Sequence, residues 1–505
     1  MNTAYGLTFA CLAILPGTAL AAQTARKPNV ILLLADDLGY GDVSAFNPDS
    51  KIHTPNIDRL CRSGIMFTEA HSASAVSTPS RYGILTGRYA FRTKLKQGTL
   101  GGYSDPLIAP ERRTLGTLFS EYGYSTACIG KWHLGWDWHY TDRKSREVDW
   151  TKPVGNGPVT RGFDYFYGIS ASLDMAPYVY VENDMPTAVP TRTAEEKKGL
   201  LLQRKGPQGD DFEHAGCLPN FTERAVSYIK EHTDSPFFLY VPFSAPHTPV
   251  LPSEEFMEKS GLNPYGDFVM MLDAMIGRIM DAVDQSGIAD NTIIIFASDN
   301  GYAPYAGMKD FEKKGHHPSY IYRGTKSDLY DGGHHIPLIV SWNGKRAGTV
   351  EDGLTSLTDF YATFCEMLGH DMEADEGEDS FSFWPVIEGT GKSERRYIVH
   401  HSNEGRFSIR DNRWKLLFWP GSGGWSYPTD KDLKNMPDAP EFQLYDMKKD
   451  YGETHNLYGR GHKKKIEELT EVMRRYITEG RSTPGPAQKN DTGSEWEQIK
   501  FIFEK

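Results

Sequence analysis

Asn29–Asp37 reads NVILLLADD: six apolar residues, Val30 to Ala35, run straight into two adjacent carboxylates. A strand with one face in water alternates apolar and polar side chains, so an unbroken apolar run reads as a strand covered on both faces. The same character returns at Thr126–Ile129, Phe237–Val241, Thr292–Ala297 and Ile336–Ser341. Helical patterns lie between them. In Pro264–Gly287 the residues Phe268, Leu272, Met275, Ile279 and Val283 recur at helical spacing, and Gly287 ends the run. Strands alternating with helices imply an α/β fold with a mostly parallel central sheet flanked by helices.

After about Pro385 the pattern changes. Ile398–Ser402, Phe407–Ile409 and Trp414–Trp419 read as a meander, followed by the turn-rich PGSGGWSYPTD (Pro420–Asp430), a helix from about Lys463 to Glu479 and a short apolar end, Ile499–Phe503. The expected division is a large domain over 27–385 and a smaller C-terminal α+β domain with an antiparallel sheet over 390–505.

The 505-residue chain carries a net charge of −12, which argues against nucleic acid or an anionic membrane as the main partner. Met1–Ala22 has no charged side chain, and its apolar run Leu7–Leu15 leads into Gly-Thr-Ala-Leu-Ala-Ala. This reads as a cleaved signal peptide over 1–22, too short for a comfortable membrane span, and implies a periplasmic or secreted protein. The remaining cysteines, Cys61, Cys128, Cys217 and Cys365, are scattered without a CxxC pair, so neither a zinc knuckle nor a disulfide framework is legible.

In a sheet of this kind ligands gather beyond the carboxyl ends of the strands. NVILLLA is followed by Asp36-Asp37, TIIIFAS by Asp299-Asn300-Gly301, STACIG by Lys131-Trp132-His133, and FFLYVPFSA by Pro246-His247. Asp36, Asp37, Asp299 and Asn300 form an all-oxygen set, and hard oxygen ligands favour Ca²⁺ or Mg²⁺ over zinc. The competing reading of any one of these aspartates is a helix cap.

The segment Ser77-Thr78-Pro79-Ser80-Arg81, followed by Ile84-Leu85-Thr86-Gly87-Arg88, would alone be a Ser-Pro turn opening a helix. Beside the oxygen set it resembles the signature of the formylglycine-dependent (type I) sulfatases of the alkaline phosphatase superfamily, (Cys or Ser)-x-Pro-(Ser or Ala)-Arg with a following Leu-Thr-Gly. LLLADDLGYGD, GKWHLG, SAPHTP, ASDNG, RGTKSDLYDGGHHIP, RDNRWKL and QLYDMKKDYGETHNL are similar to further blocks of that family, in its order, over about Asn29 to Leu457.

The resemblance implies that Ser77 is oxidised to formylglycine (3-oxoalanine) and that Asp36, Asp37, Asp299 and Asn300 hold one calcium ion per chain. It implies that Arg81 and Lys131 steady the modified residue and the sulfate, that His133 is the base of the second half-reaction, and that His247 and Lys326 contact the sulfate and the leaving oxygen. A serine hydroxyl is a weak nucleophile whose sulfate ester is hard to release; a hydrated aldehyde has one hydroxyl to attack sulfur and another to expel sulfate. The implied substrate is a sulfated glycan, with galactose or N-acetylgalactosamine 6- or 4-sulfate favoured and cleavage from the non-reducing end. Candidate sugar contacts are Ser172, Asp174, His316, His317, His334, His335 and Trp425.

The chain departs from the family pattern twice. A serine at position 77 implies a serine-type radical S-adenosylmethionine maturase as partner, unless it replaces a natural cysteine. His334-His335 stands where the family often has Arg before Ile/Val-Pro, which puts the substrate contacts there in question. The alternatives are a phosphonate or phosphodiester hydrolase of the same superfamily, a phosphoglycerol transferase, which usually carries membrane helices, and a glycan-binding protein with an unmodified Ser77.

Overall fold

The computed structural model describes Met1 and residues 26–503, so the expected signal peptide, Met1 apart, lies outside the described residues. The chain builds a ten-stranded mixed sheet and a separate four-stranded antiparallel sheet. Five central strands of the large sheet are parallel, in the order Thr292–Ser298, Asn29–Asp36, Phe237–Pro246, Ser125–Lys131 and Tyr165–Ile169. Beyond Thr292–Ser298 comes Leu338–Trp342, which runs antiparallel to it, then Ile65–Phe67 and Thr349–Glu351. The other edge is closed by the short antiparallel strands Val181–Glu182 and Met185–Pro186.

The first strand accounts for its own composition. Ile31, Leu33 and Ala35 pack into one buried cluster, and Val30, Leu32 and Leu34 into the cluster on the opposite face. Each fully buried aliphatic side chain contributes about 1.5–3 kcal/mol relative to exposure, so both faces stabilise the strand. One covering helix is Pro264–Gln285, whose N-cap Asn263 accepts through its side chain from the backbone N–H of Tyr265 and Gly266. Its apolar positions Phe268, Leu272, Met275, Ile279 and Val283 all enter the first cluster. Ser77–Thr86, Leu115–Glu121 and Phe360–Leu368 lie over the other face, where Ile84, Leu85, Leu118, Phe119 and Phe364 join the second cluster.

The small sheet orders Ile398–His401, Phe407–Arg410, Trp414–Leu417 and Gln443–Asp446, all antiparallel. Leu469, Met473 and Ile477 of the helix Lys463–Thr478 pack on it together with Ile499 and Ile502. Ala73, Tyr89 and Phe91, from the chain around the Ser77 helix, belong to the same cluster, so the small sheet is seated on that helix's surroundings. Cys61, Cys128, Cys217 and Cys365 are free thiols. Among the described residues no helix is long and apolar enough to cross a membrane.

Candidate active site

Parallel pairing brings the ends of four central strands to one edge, and their polar residues converge there. Asp36 ends its strand and the next residue, Asp37, takes a positive φ of 65°. This unusual backbone for a non-glycine residue turns a second carboxylate into the same space. The backbone N–H of Asp37 donates to Asp299 Oδ1 at 3.2 Å, and the Asn300 side-chain amide donates to Asp37 Oδ1 at 2.8 Å. Ser298 Oγ accepts from the Leu38 N–H and donates to the Asn300 carbonyl, pinning the two strand-end loops together.

Ser77 is the first residue of the helix Ser77–Thr86, whose ten residues are all buried. Its Oγ lies 3.3 Å from Asp36 Oδ1 and 3.4 Å from Asn300 Oδ1, and accepts from Lys131 Nζ at 3.4 Å. Arg81, one turn on, donates through Nε and Nη2 to Asp299 Oδ2 at 3.0 and 2.8 Å, and through Nη1 to the Lys131 carbonyl. The helix ends at Gly87, φ 65°, where a Cβ would stand 2.7 Å from Tyr361 Cβ; the backbone conformation and the lack of space both call for glycine.

Three carboxylates meet three cations here. Lys131 Nζ bonds both oxygens of Asp36 at 2.9 and 2.7 Å, Lys326 Nζ bonds Asp37 at 2.6 Å, and Arg81 holds Asp299. Burial alone would raise the Asp36 carboxyl, but Lys131, His247 and Arg81 outweigh it and bring it to about 2. Asp37 is likewise lowered against its burial by Lys326 and His247, while Lys326 is raised by Asp37 despite its own burial. Formally the three carboxylates and three cations of the cluster balance, although burial, then Arg81 and Lys326, lower Lys131 against the pull of Asp36. Adding a divalent cation would leave it at plus two, a charge suited to a monoanionic ester and a deprotonated hydroxyl. The donors are oxygens only, from three carboxylates and one amide, which fits a hard cation.

Two histidines stand over the cluster. His247 Nδ1 lies 2.6 Å from the Thr248 carbonyl, which fixes the proton on Nδ1 and leaves Nε2 at 3.6 Å from Asp37 Oδ2. His133, φ 56°, places Nε2 2.7 Å from the Leu100 carbonyl, so its buried Nδ1 is a lone pair without a partner among the described residues. Burial, then Lys131 and Arg81, hold His133 well below the ordinary histidine range, hence neutral.

The proposed sugar contacts separate into two groups. Ser172 and Asp174 follow the strand Tyr165–Ile169 at the same edge, and Asp174 Oδ1 comes to 4.0 Å from His247 Nδ1. His317 is exposed, and Trp425 is 45% exposed on a loop whose Trp425 and Ser426 N–H groups donate to Asp328 Oδ1, two residues after Lys326. His316, His334 and His335 do not reach any surface that a sugar could touch. His316 is buried between Asp42 Oδ1 and the Lys51 N–H. His334 donates to the Leu329 carbonyl and lies against His71 and His400; His335 spans the Thr68 carbonyl and Asp331. Their ring nitrogens are already used inside the protein.

The sequence reading missed Tyr305, whose hydroxyl donates to Asp37 Oδ2 at 2.8 Å. Its one sequence signal is a Pro304-Tyr305 turn just beyond Asp299-Asn300-Gly301. It also missed the use of the RDNRWKL block. Arg410 is buried between Asp331 and Glu69, and Lys415 between Asp331 and Glu453, so that block ties the small sheet to the Gly-Gly-His-His loop.

Comparison with known proteins places these features in context. A family model described as Sulfatase matches residues 28–370. The chain is 33% identical over 510 residues to an N-acetylgalactosamine-6-O-sulfatase of Bacteroides thetaiotaomicron, covering 92% of this chain and 98% of that protein. It is 30% identical to human arylsulfatase A, over 87% of this chain and 86% of that one. A solved sulfatase structure, from work on glycosaminoglycan metabolism by Bacteroides thetaiotaomicron, superposes with a TM-score of 0.78 at 31% identity, covering 89% of this chain and 99% of the other.

Proposed function

The chain belongs to the sulfatase family, and we propose that it hydrolyses a sulfate ester on a sugar, with the 6-sulfate of N-acetylgalactosamine or galactose as the favoured substrate and a 4-sulfate next. The observation that carries the reading is the placement of Ser77 Oγ among Asp36, Asn300 and Lys131, at the start of a buried helix that also delivers Arg81. The activity for which the Bacteroides relative is named supports the choice of sugar.

Oxidised to formylglycine and hydrated, position 77 would offer two geminal hydroxyls, one to attack sulfur and one to expel sulfate. A calcium ion held by Asp36, Asp37, Asp299 and Asn300 would supply a Lewis acid to the attacking hydroxyl and the sulfate oxygens. Arg81 holds Asp299 in place, and Lys131 and Lys326 put ammonium groups where negative charge grows on the sulfate. Protonated on Nδ1, His247 can carry a second proton at Nε2 to the departing sugar oxygen. Neutral His133, with its free Nδ1, suits the base that takes the proton from the residue 77 hydroxyl when sulfate leaves.

The serine at position 77 points to a serine-type radical S-adenosylmethionine maturase, and the apolar first 22 residues to export into the periplasm or beyond. The catalytic unit in this reading is 27–385, with 390–505 closing one side of the pocket through the Trp425 loop.

The test is turnover by protein co-expressed anaerobically with such a maturase. Release of sulfate from N-acetylgalactosamine 6-sulfate, its loss on chelation and its return with Ca²⁺ but not Zn²⁺ are expected. Faster cleavage of matched phosphate diesters or phosphonates than of every sulfate ester would overturn the assignment in favour of the phosphonate hydrolase reading.

A further inference from the structure

A groove of about 790 Å³ adjoins the catalytic centre, within the range of small-ligand sites. Leu100 forms its inner end. The Leu100 carbonyl accepts from His133 Nε2 at 2.7 Å, and its N–H donates to Oγ1 of Thr78, the neighbour of Ser77, at 3.1 Å. Another wall carries Arg204, ion-paired with Asp174, whose second oxygen approaches His247. Two parts of the groove lining are thus bonded to groups of the sulfate site, which sets the groove directly beside it.

The charge of the lining is opposite to that of the protein. In a chain of net charge −12, the groove presents Lys94, Arg143, Arg146, Arg204 and Lys205 against a single carboxylate, Asp105. Arg143 is paired with Asp105, Arg204 with Asp174 and Lys205 with Glu195, whereas Lys94 and Arg146 have no ion-pair partner among the described residues. The turn between Tyr140–Asp142 and Glu147–Val148 carries Arg143 and Arg146. Arg143 rests 5.2 Å from the Tyr140 ring centroid and Arg146 5.3 Å from that of Tyr103, which steadies both guanidinium groups at the groove. Lys94 and Arg146 leave the groove with positive charge that an anion there would offset. Guanidinium groups suit planar or tetrahedral oxyanions in particular.

We propose that this groove is a subsite for the sugar next to the one desulfated, and that it selects an acidic group on that sugar, a uronate carboxylate or a second sulfate ester. The subsite rests on the reading of the adjoining centre as a sugar sulfatase site. It makes the enzyme one that acts on acidic glycan chains in preference to isolated or neutral-linked sulfated sugars.

The experiment uses three disaccharides bearing N-acetylgalactosamine 6-sulfate, linked to a uronic acid, to a neutral hexose or to a hexose sulfate. Binding is measured by calorimetry on full-length protein with Ser77 unmodified, and turnover on the matured enzyme. At least one acidic disaccharide should bind about tenfold more tightly than the neutral one, the size expected of one charge-assisted contact, and the uronate and sulfate arms show which acid is read. That preference should shrink as salt rises. Combined Lys94→Ser, Arg146→Ser and Lys205→Ser changes, all at exposed positions, should reduce it to about twofold or less. Equal binding of all three disaccharides, or a preference that survives both salt and the triple change, would overturn the subsite. Acid-selective binding without sulfate release from any of the three by matured protein would uphold the subsite and overturn N-acetylgalactosamine 6-sulfate as the substrate.

Discussion

Ser77 sits among strong charges yet is held only weakly. Its contacts with Asp36, Asn300 and Lys131 are 3.3–3.4 Å long, whereas the surrounding ion pairs are 2.6–3.0 Å. Little stability rests on the hydroxyl, so Ser77→Ala should abolish sulfate release while shifting unfolding by less than about 0.5 kcal/mol in denaturant titration. Residual turnover above background in that variant would show that another group attacks sulfur. That Asp36, Asp37, Asp299 and Asn300 meet at one edge was legible in the sequence because each pair follows a buried strand of one parallel sheet. His316, His334 and His335 were misread because a histidine in a loop looks the same in a pocket wall as in a core. Their partners, Asp42, Thr68 and His71, lie far away in sequence, so only the fold reveals them.

At the scale of the element, the helix Ser77–Thr86 depends on how it stops. Gly87→Ala would force an alanine into the left-handed region, costing about 1–2 kcal/mol, and would push a methyl group to 2.7 Å from Tyr361 Cβ. The expected outcome is a loss of stability beyond the conformational cost alone, read from the urea midpoint, with lower activity because the helix carries both Ser77 and Arg81. A midpoint unchanged within error would mean that the turn relaxes freely. Four of the five parallel central strands were readable from their unbroken apolar runs; the fifth, Tyr165–Ile169, was not, because its glycine and tyrosines break the aliphatic pattern. The antiparallel direction of Leu338–Trp342 was not, because composition records burial on both faces and carries no trace of chain direction.

Across the whole molecule, buried histidines join the chain at His71 and the loop before Leu338–Trp342 to the small sheet. His71, His334 and His400 have ligand atoms within 4.8 Å of one another, yet the His334 and His400 rings stack 3.5 Å apart at 9°. Lone pairs in nearly parallel planes cannot converge on one ion, so this cluster is packing. Burial holds all three well below the ordinary range, and His401 at about 4. From about pH 6.5 downward the unfolded chain binds protons that the folded chain refuses, so stability falls as pH falls, by about 1.4 kcal/mol per pH unit for each linked proton. Glu453, raised by burial to about 7, opposes this, as do Asp273, Asp328 and Glu378, each raised by burial, while the lowered His133 and His214 add to it. His400→Phe, replacing a ring without a hydrogen-bond partner, should flatten the pH dependence of the urea midpoint; an unaltered slope would show that His400 takes no part. The central claim, that position 77 is the site of the catalytic aldehyde, is tested most directly by mass spectrometry of the tryptic fragment Ser63–Arg81, from protein made anaerobically with a serine-type maturase. The account predicts the loss of two hydrogens localised to Ser77, and an unmodified serine, under conditions that convert a reference serine-type sulfatase, would contradict it.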